Sequence, residues 1–329
     1  MKTTFKAYIV RENPDGTFIS NIETKDLDNL PEGELTVRVK YSSLNYKDAL
    51  SATGNKGVTR FYPHTPGIDA VGIVEQCNNS DFKIGDKVIV TGYDLGMNTS
   101  GGFGQLIRVP SKWAFLLPKG LSLEESMTLG TAGITVGLCV NALEKNNGIK
   151  GRKAVVTGAT GGVGCLAVKL LAKLGANITA VTGKSNAQEI LKSIGANEVI
   201  SREELSQNFK QPLAKGKWDI GIDVVGGDML AGLMTCLNEG GSIACCGLVG
   251  GPKIITSIFP YILRGNSLLG IDSAEKSKAI KQKIMNLFAN EWKLELKSIS
   301  SSVGLDKLDN EVAKILKGGQ IGRVVVSLD

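Results

Sequence analysis

Histidine is almost missing from this chain: His64 is the only one among 329 residues. Six cysteines (Cys77, Cys139, Cys165, Cys236, Cys245 and Cys246) contain no C-x-x-C pair and are too sparse for a disulfide scaffold, so reduced thiols in a cytoplasm are the simplest expectation. Aromatic residues are only 5% of the chain, thin for stacking bases, and no block of like charge accompanies the net +6 left by 38 basic and 32 acidic residues. Nucleic acid is therefore not an expected partner, whereas an anionic substrate stays open. No apolar run approaches the about 18 residues of a membrane span. The opening MKTTFKAYIVRENPDG carries too short an apolar stretch before Arg11 for a secretory signal. A cytoplasmic protein without membrane contact is expected.

Glycine, by contrast, is abundant. It fills 41 positions, about 12% against a usual level near 7%, without a collagen-like period, so it must serve turns and close backbone approaches. At about 150 residues per domain the length suggests two domains, and an apolar content of 42% supplies two cores. Up to about residue 118 the chain shows short alternating or apolar runs broken by turn residues, among them FKAYIV, GTFISNI, ELTVRVKYSS, GIDAVGIVEQ and DKVIVTG. From Ser122 onward strand-sized runs alternate with helical ones: KAVVTG, GCLAVKLLAKLG, NITAVTG, QEILKSIG, NEVIS, WDIGIDVVG, GSIACCG and SLLGIDS. The texture predicts a β-rich, barrel-like domain over residues 1–121 and a doubly wound parallel α/β domain over 122–270. The tail, 271–329, contains helical patterns at Lys276–Phe288 and Val312–Leu316 and a closing strand RVVVSL; it is expected to return to the first domain.

The segment Lys153–Gly175, KAVVTGATGGVGCLAVKLLAKLG, carries an apolar strand into Gly158, Gly161, Gly162 and Gly164 and then opens an amphipathic helix. Gly161 would let backbone approach a pyrophosphate, Gly164 would seat the helix against the strand, and the helix N-terminus would offer unpaired N–H groups. Ala159 stands where the usual dinucleotide fingerprint has its first glycine, and a turn of this kind without a ligand is the alternative. The predicted cofactor contacts here are Ala159, Thr160, Gly161, Gly162 and Val163. The next strand runs into Gly183, Lys184 and Ser185, where an NAD site would place an acid for the ribose hydroxyl. A lysine and a hydroxyl suit a 2′-phosphate, so NADPH is the predicted cofactor. Alternatively Ser185 and Gln188 form a capping box and Lys184 is a solvated charge.

These glycines, with GTAGITV before them, SSLNYKDALSATG at Ser42–Gly54 and PGIDAVGIVE at Pro66–Glu75, resemble the medium-chain dehydrogenase/reductase superfamily over essentially the whole chain. The ordered set, including MTLGTAGITVGLCVNALE, IDVVGG, CCGLVGG and LRGNSLLGIDS, is similar to the zinc-independent quinone oxidoreductases, in particular the subgroup of NADPH-dependent acryloyl-CoA reductases. The resemblance implies a GroES-like domain on the substrate side of a cleft, a Rossmann domain for NADPH, and a homodimer paired through the cofactor domains. Where zinc alcohol dehydrogenases carry a cysteine and a His-Glu pair, this chain has Asn45 and Asp69. His64 is read as a loop residue, so no metal is expected.

The implied reaction is hydride transfer to an activated C=C bond of an enoyl thioester. Transfer to quinones is the alternative within the class, and a non-catalytic NADPH-binding redox sensor the alternative outside it. Tyr46 is the candidate proton donor, since a phenol with a pKa of about 10 is protonated at neutral pH. Asn45 is placed to orient a carbonyl or the nicotinamide carboxamide, and Asp48 to orient a neighbour; all three would otherwise be a helix cap and half-buried core. Thr131, in Gly130–Gly133, is a further cofactor candidate against ordinary helix packing. Gly247 and Leu248, after Cys245 and Cys246, are expected at the nicotinamide end, with both thiols as small core residues. Asp223 reads as a strand-end residue, with Asp272 less defined. Arg264 and Arg323 are read as anchors for a coenzyme A phosphate or as solvated surface charge.

Overall fold

The computed structural model describes residues 3–78, 81–207, 209 and 211–329. In chain order the first elements are β1 (Thr4–Glu12), β2 (Phe18–Asp26), β3 (Leu35–Leu44), α1 (Tyr46–Ala52), β4 (Asp69–Cys77), β5 (Lys87–Thr91), β6 (Leu106–Val109), β7 (Ala114–Leu116) and α2 (Leu123–Asn147). Then come β8 (Lys153–Val156), α3 (Gly162–Lys173), β9 (Asn177–Thr182), α4 (Gln188–Ser193), β10 (Glu198–Ser201), α5 (Arg202–Ser206), β11 (Trp218–Asp223), α6 (Gly227–Thr235), β12 (Leu237–Cys245), α7 (Phe259–Arg264) and β13 (Ser267–Gly270). The tail adds α8 (Lys278–Ala289), β14 (Ser300–Gly304), α9 (Leu308–Leu316) and β15 (Arg323–Ser327).

Two compact units result, one of residues 1–134 and 273–329, the other of residues 135–272. The first division falls thirteen residues beyond the expected 121/122. The change in sequence texture marks where α2 begins, behind a capping box of Ser122 and Glu125. The first three turns of that helix nevertheless belong to the β-rich unit, because backbone and side chain of Thr131 are bonded to Asp69 on β4. α2 is long and apolar enough to cross a bilayer, but 78% of its most apolar window is buried inside the protein, as in a core helix.

In the β-rich unit, β3 is the organising strand. It pairs antiparallel with β4, β6 and β15, and β4 continues through β5 to β7. β14 extends the sheet beyond β15 in parallel, a short strand that its serines conceal in the sequence. Inward residues of these strands, including Leu35, Val37, Val39, Val74, Val88 and Val326, form the main core with Leu308 and Val312 of α9. Leu35, Val37 and Val39 share one face of β3 because side chains alternate across a strand.

The other unit has six parallel strands in the order β10-β9-β8-β11-β12-β13, the doubly wound arrangement with its change of direction between β8 and β11. At that point the Thr157 hydroxyl donates to Asp223 Oδ1 at 2.6 Å and accepts from Val224 N at 3.1 Å. The two strand ends are tied where such folds receive ligands.

Candidate active site

In the cofactor-type unit, the glycine-rich turn has the tightness expected of it. A Cβ on Gly164 would stand 2.2 Å from the Gly158 carbonyl oxygen and 2.7 Å from Ala159 Cα, so only glycine lets α3 begin this close to the end of β8. Gly158 carries φ +56°, whereas Ala159 is buried and bonded through its N–H to Val181 O. The glycine dispensed with at 159 is thus supplied one residue earlier. Gly161 caps α3 with extended backbone and no side chain, leaving the first N–H groups of a twelve-residue helix without a side-chain cap.

The end of β9 converges on this turn. Lys184 Nζ donates to Thr160 Oγ1 at 3.0 Å and Lys184 N to Thr182 Oγ1 at 3.1 Å. Lys184 is therefore half-buried and held against the glycine-rich turn. The alternative reading, a Ser185–Gln188 capping box, does not form: Ser185 opens a 3-10 turn, and α4 starts behind Ala187 with no side-chain cap bond. Arg202 was missed by sequence reading. Its guanidinium lies over Gly183, where a Cβ would meet Nε at 3.0 Å, and it is in no ion pair among the described residues. The signal was the sheet register: Ser201 on β10 pairs with Thr182 on β9, which sets Arg202 beside Gly183. Thr160, Gly183, Lys184 and Arg202 make a cationic corner suited to a phosphate.

On the other side of the β8/β11 switch, Gly247 packs against β11's exit, where a Cβ would be 2.1 Å from Val224 O. Leu248 is 66% exposed. Asp223 is fully buried, and burial raises its carboxyl above the usual range against the bonds from Thr157 and Gly226. Cys245 and Cys246 are half-buried rather than core. Burial and Asp223 push the Cys245 thiol up to about 11, and a hydrogen bond with Cys139 together with burial raises Cys246 well above the ordinary thiol range, so both are protonated and poorly nucleophilic at neutral pH. Asp272 is exposed beyond β13.

In the β-rich unit, residues of four segments meet around Asp69, which is fully buried. Its carboxylate accepts from Ser43 Oγ at 2.6 Å, Asn45 Nδ2 at 2.8 Å, Thr131 N at 3.0 Å and Thr131 Oγ1 at 2.6 Å. Gly130, with φ 48° and ψ −149°, kinks α2 to make this possible, and a Cβ there would be 2.6 Å from Asp69 Oδ2. Asn45 gives its amide hydrogens to Asp69, Ser43 O and Asp48 Oδ2, and its Oδ1 accepts from Arg323 Nη1 at 3.2 Å. Asp48 accepts from Asn45 N and Ile68 N, both at 2.8 Å. Burial and the neighbouring Asp69 nevertheless push Asp48 up to about 7.

Four expectations change here, those for Asn45, Thr131, Arg323 and Arg264. Asn45 has no spare donor for a substrate carbonyl, and Asp48 is sealed at 0% exposure, so neither side chain is free to meet a substrate. Thr131 spends its hydroxyl on Asp69, so its predicted cofactor contact would have to use other atoms. Arg323 is neither a surface charge nor a phosphate anchor: it is buried, donating to Thr128 O and Leu44 O as well as to Asn45. Arg264 is similarly committed to the carbonyls of Thr235, Leu237 and Ala214. Neither could be distinguished by sequence from a solvent-facing arginine, because their acceptors are backbone atoms of distant segments. Tyr46, the first residue of α1, is 40% exposed, and its hydroxyl bonds to no described residue.

A metal does not fit these donors. Asp69 and Asp48 have their oxygens occupied by N–H and O–H groups, His64 Nε2 faces Gly96 O at 2.9 Å, and no cluster of three His, Cys, Asp or Glu that could hold an ion occurs among the described residues.

Comparison with known proteins agrees with this architecture. The alcohol dehydrogenase GroES-like domain family matches residues 31–119 and the zinc-binding dehydrogenase family residues 162–290. The chain is 39% identical to YhfP of Bacillus subtilis, provisionally named a quinone oxidoreductase, with 100% of both chains covered. A YhfP structure with NAD bound superposes with a TM-score of 0.95 over 99% of this chain and 100% of that one. It is 39% identical to the acrylyl-CoA reductase AcuI of Ruegeria pomeroyi over 99% of each. The crystal structure of Escherichia coli YhdH with bound NADPH is 38% identical, with a TM-score of 0.93 over 98% of this chain and 100% of that one. With its GroES-like unit, its 3-2-1-4-5-6 parallel sheet and these full-length relatives, the chain belongs to the medium-chain dehydrogenase/reductase superfamily of oxidoreductases, in the group that contains YhfP and AcuI.

Proposed function

We propose that the protein is an NADPH-dependent reductase of a C=C bond conjugated to the thioester of an acyl-coenzyme A, acryloyl-CoA being the simplest case. The observation that carries this reading is the pairing of two features on one chain. One is the cationic corner of Thr160, Lys184 and Arg202 at a dinucleotide turn. The other is an exposed Tyr46 beside the polar cluster of Asp69, Asn45 and Arg323, whose oxygens are taken up by N–H and O–H donors. The likeness to AcuI supports the thioester. The turn's N–H groups would hold the diphosphate, and Lys184 and Arg202 the 2′-phosphate, which is how the corner favours NADPH although the YhfP structure holds NAD.

When bound, NADPH supplies a hydride to the substrate β-carbon. The chain's own part is to fix the geometry and deliver a proton. Asp69, Asn45 and Arg323 lock the start of α1, so that Tyr46 is presented at a fixed position. Tyr46 Oη gives its proton to the α-carbon of the resulting enolate and recovers one from water, to which it is open. A second reading, hydride transfer to a quinone, is favoured by the likeness to YhfP and needs the same cofactor contacts.

NADPH oxidation with acryloyl-CoA and with 1,4-benzoquinone in parallel, each corrected for its uncatalysed rate, tests the choice. Faster turnover of the thioester is expected; turnover of quinone alone would replace the reading by the second. We also read the protein as a cytoplasmic homodimer. Exposed Ile255, Ile258, Ile262 and Leu263 precede the edge strand β13 in the chain, and together they offer apolar surface and an open ladder for a second copy. Sedimentation of the purified chain at twice the monomer mass is the expected result.

A further inference from the structure

The surface beside Tyr46 carries charge and an aromatic ring that the reaction at Tyr46 does not use. Lys47 follows Tyr46 on α1, and its Nζ lies 3.9 Å from Met97 Sδ. Next to Met97, the side chain of Asn98 accepts from Arg60 N at 3.2 Å, which brings the Arg60 backbone to the same loop. Phe61 follows and is 77% exposed. This segment is not a loose one. Thr59 Oγ1 is bonded to Ser51 Oγ at 2.6 Å, Tyr62 Oη donates to Ser51 O at 2.6 Å, and His64 N donates to Val10 O at 2.9 Å. Arg60 and Phe61 are thus displayed from a stretch anchored on both sides.

The charges around them are distributed unevenly. Lys56, on the same segment, is taken by Glu12 and by the rings of Phe18 and Tyr62. Asp94, the nearby acid, is occupied by Asn98 and Thr99. Lys47 and Arg60 form no ion pair among the described residues, although Arg11, Arg38 and Lys40 of the same unit all do.

We propose that Lys47, Arg60 and Phe61 form the binding site for the nucleotide end of a coenzyme A thioester, with phosphates on the two cations and the adenine against Phe61. An arginine is suited to phosphate by its fork of donors, and an exposed ring accepts a base without needing its hydrogen-bonding edge. The pantetheine arm separates the phosphates from the thioester by many bonds. Their site must therefore lie apart from the proton donor but within reach of it: Lys47 follows Tyr46 in the chain, and the Arg60 backbone is bonded to the loop that Lys47 touches. This inference rests on the reading of the substrate as an acyl-CoA.

The test uses the full chain saturated with NADP+, so that its cofactor site is filled, titrated calorimetrically with adenosine 3′,5′-bisphosphate, the nucleotide end of coenzyme A. Loss of one charge-assisted bond predicts that Arg60→Ala weakens binding about tenfold or more, and loss of stacking predicts a similar factor for Phe61→Ala. In parallel, the ratio of kcat/KM for acryloyl-CoA to that for acryloyl-N-acetylcysteamine, which lacks the nucleotide, should fall by the same factor in both variants. Equal losses on both thioesters, or unchanged binding of the bisphosphate, would overturn the proposal. Binding that depends on Arg60 without any reduction of acryloyl-CoA would instead overturn the substrate reading while leaving this site in place.

Discussion

Replacing Asp48 with asparagine should change how the protein's stability depends on pH, and in the direction opposite to that of an ordinary paired carboxylate. Asp48 is completely buried, and burial with the adjacent Asp69 raises it from 3.8 to about 7 despite two backbone N–H bonds. Below pH 4 the carboxyl is protonated in both folded and unfolded chains and contributes no pH dependence. Between pH 4 and pH 7 the unfolded chain releases this proton while the folded chain keeps it, so stability falls as pH rises. Above pH 7 both forms are ionised and the dependence ends. Over roughly three pH units at about 1.4 kcal/mol per unit, the loss is about 4 kcal/mol. Asp48→Asn removes the titration. It also leaves an amide N–H facing a backbone donor, a pH-independent cost of about 1–3 kcal/mol. Urea unfolding of both proteins at half-unit intervals from pH 4 to pH 8 isolates the effect in their difference, because all other groups cancel. The variant should be the less stable at pH 4 and the more stable, or equal, at pH 7.5. A difference that stays level across this range would refute the reasoning, and would mean that the N–H bonds from Asn45 and Ile68 outweigh the cost of burial.

Gly130→Ala should lose about 2–4 kcal/mol in the same unfolding assay, since φ 48° with ψ −149° is closed to alanine and its Cβ would press on Asp69 and Ser43; a neutral result would mean that the kink in α2 is not needed. Arg202→Ala should reduce the preference for NADPH over NADH by about tenfold or more in fluorescence titrations, with the NADH affinity scarcely moved. An unchanged ratio would remove Arg202 from the phosphate corner. Tyr46→Phe should lower kcat by at least about 100-fold at saturating substrate if Tyr46 Oη delivers the proton. Full turnover by that variant would place the proton donor elsewhere.

Much was legible in the residues because it depends on local or periodic features. The parallel sheet, the glycine-rich turn and the position of the β-rich unit follow from apolar periodicity, from glycines at a strand end and from turn residues, all read within a window of a few turns. Gly164 could be assigned its close approach before the structure because strand, turn and helix adjoin in the chain. β14 was not legible, since a run of serines pairs with β15 only because the sheet edge is there. The end of the first unit was misplaced for a related reason. The sequence marks where α2 begins, but the residues that decide its allegiance are Asp69 and Thr131, 62 positions apart. The roles of Asn45, Asp48, Arg264 and Arg323 were likewise decided by tertiary structure. Each polar side chain has several hydrogen-bonding groups, and whether they face substrate, solvent or another segment depends on which distant atoms arrive first. Arg323 reaches Asn45 across 278 positions. By itself the sequence determined the fold class and the tight glycine-rich turn that opens α3, which are properties of residue type and near-neighbour spacing. Only the folded chain decided which polar groups are spent on one another across distant segments and which, like Tyr46, are left exposed.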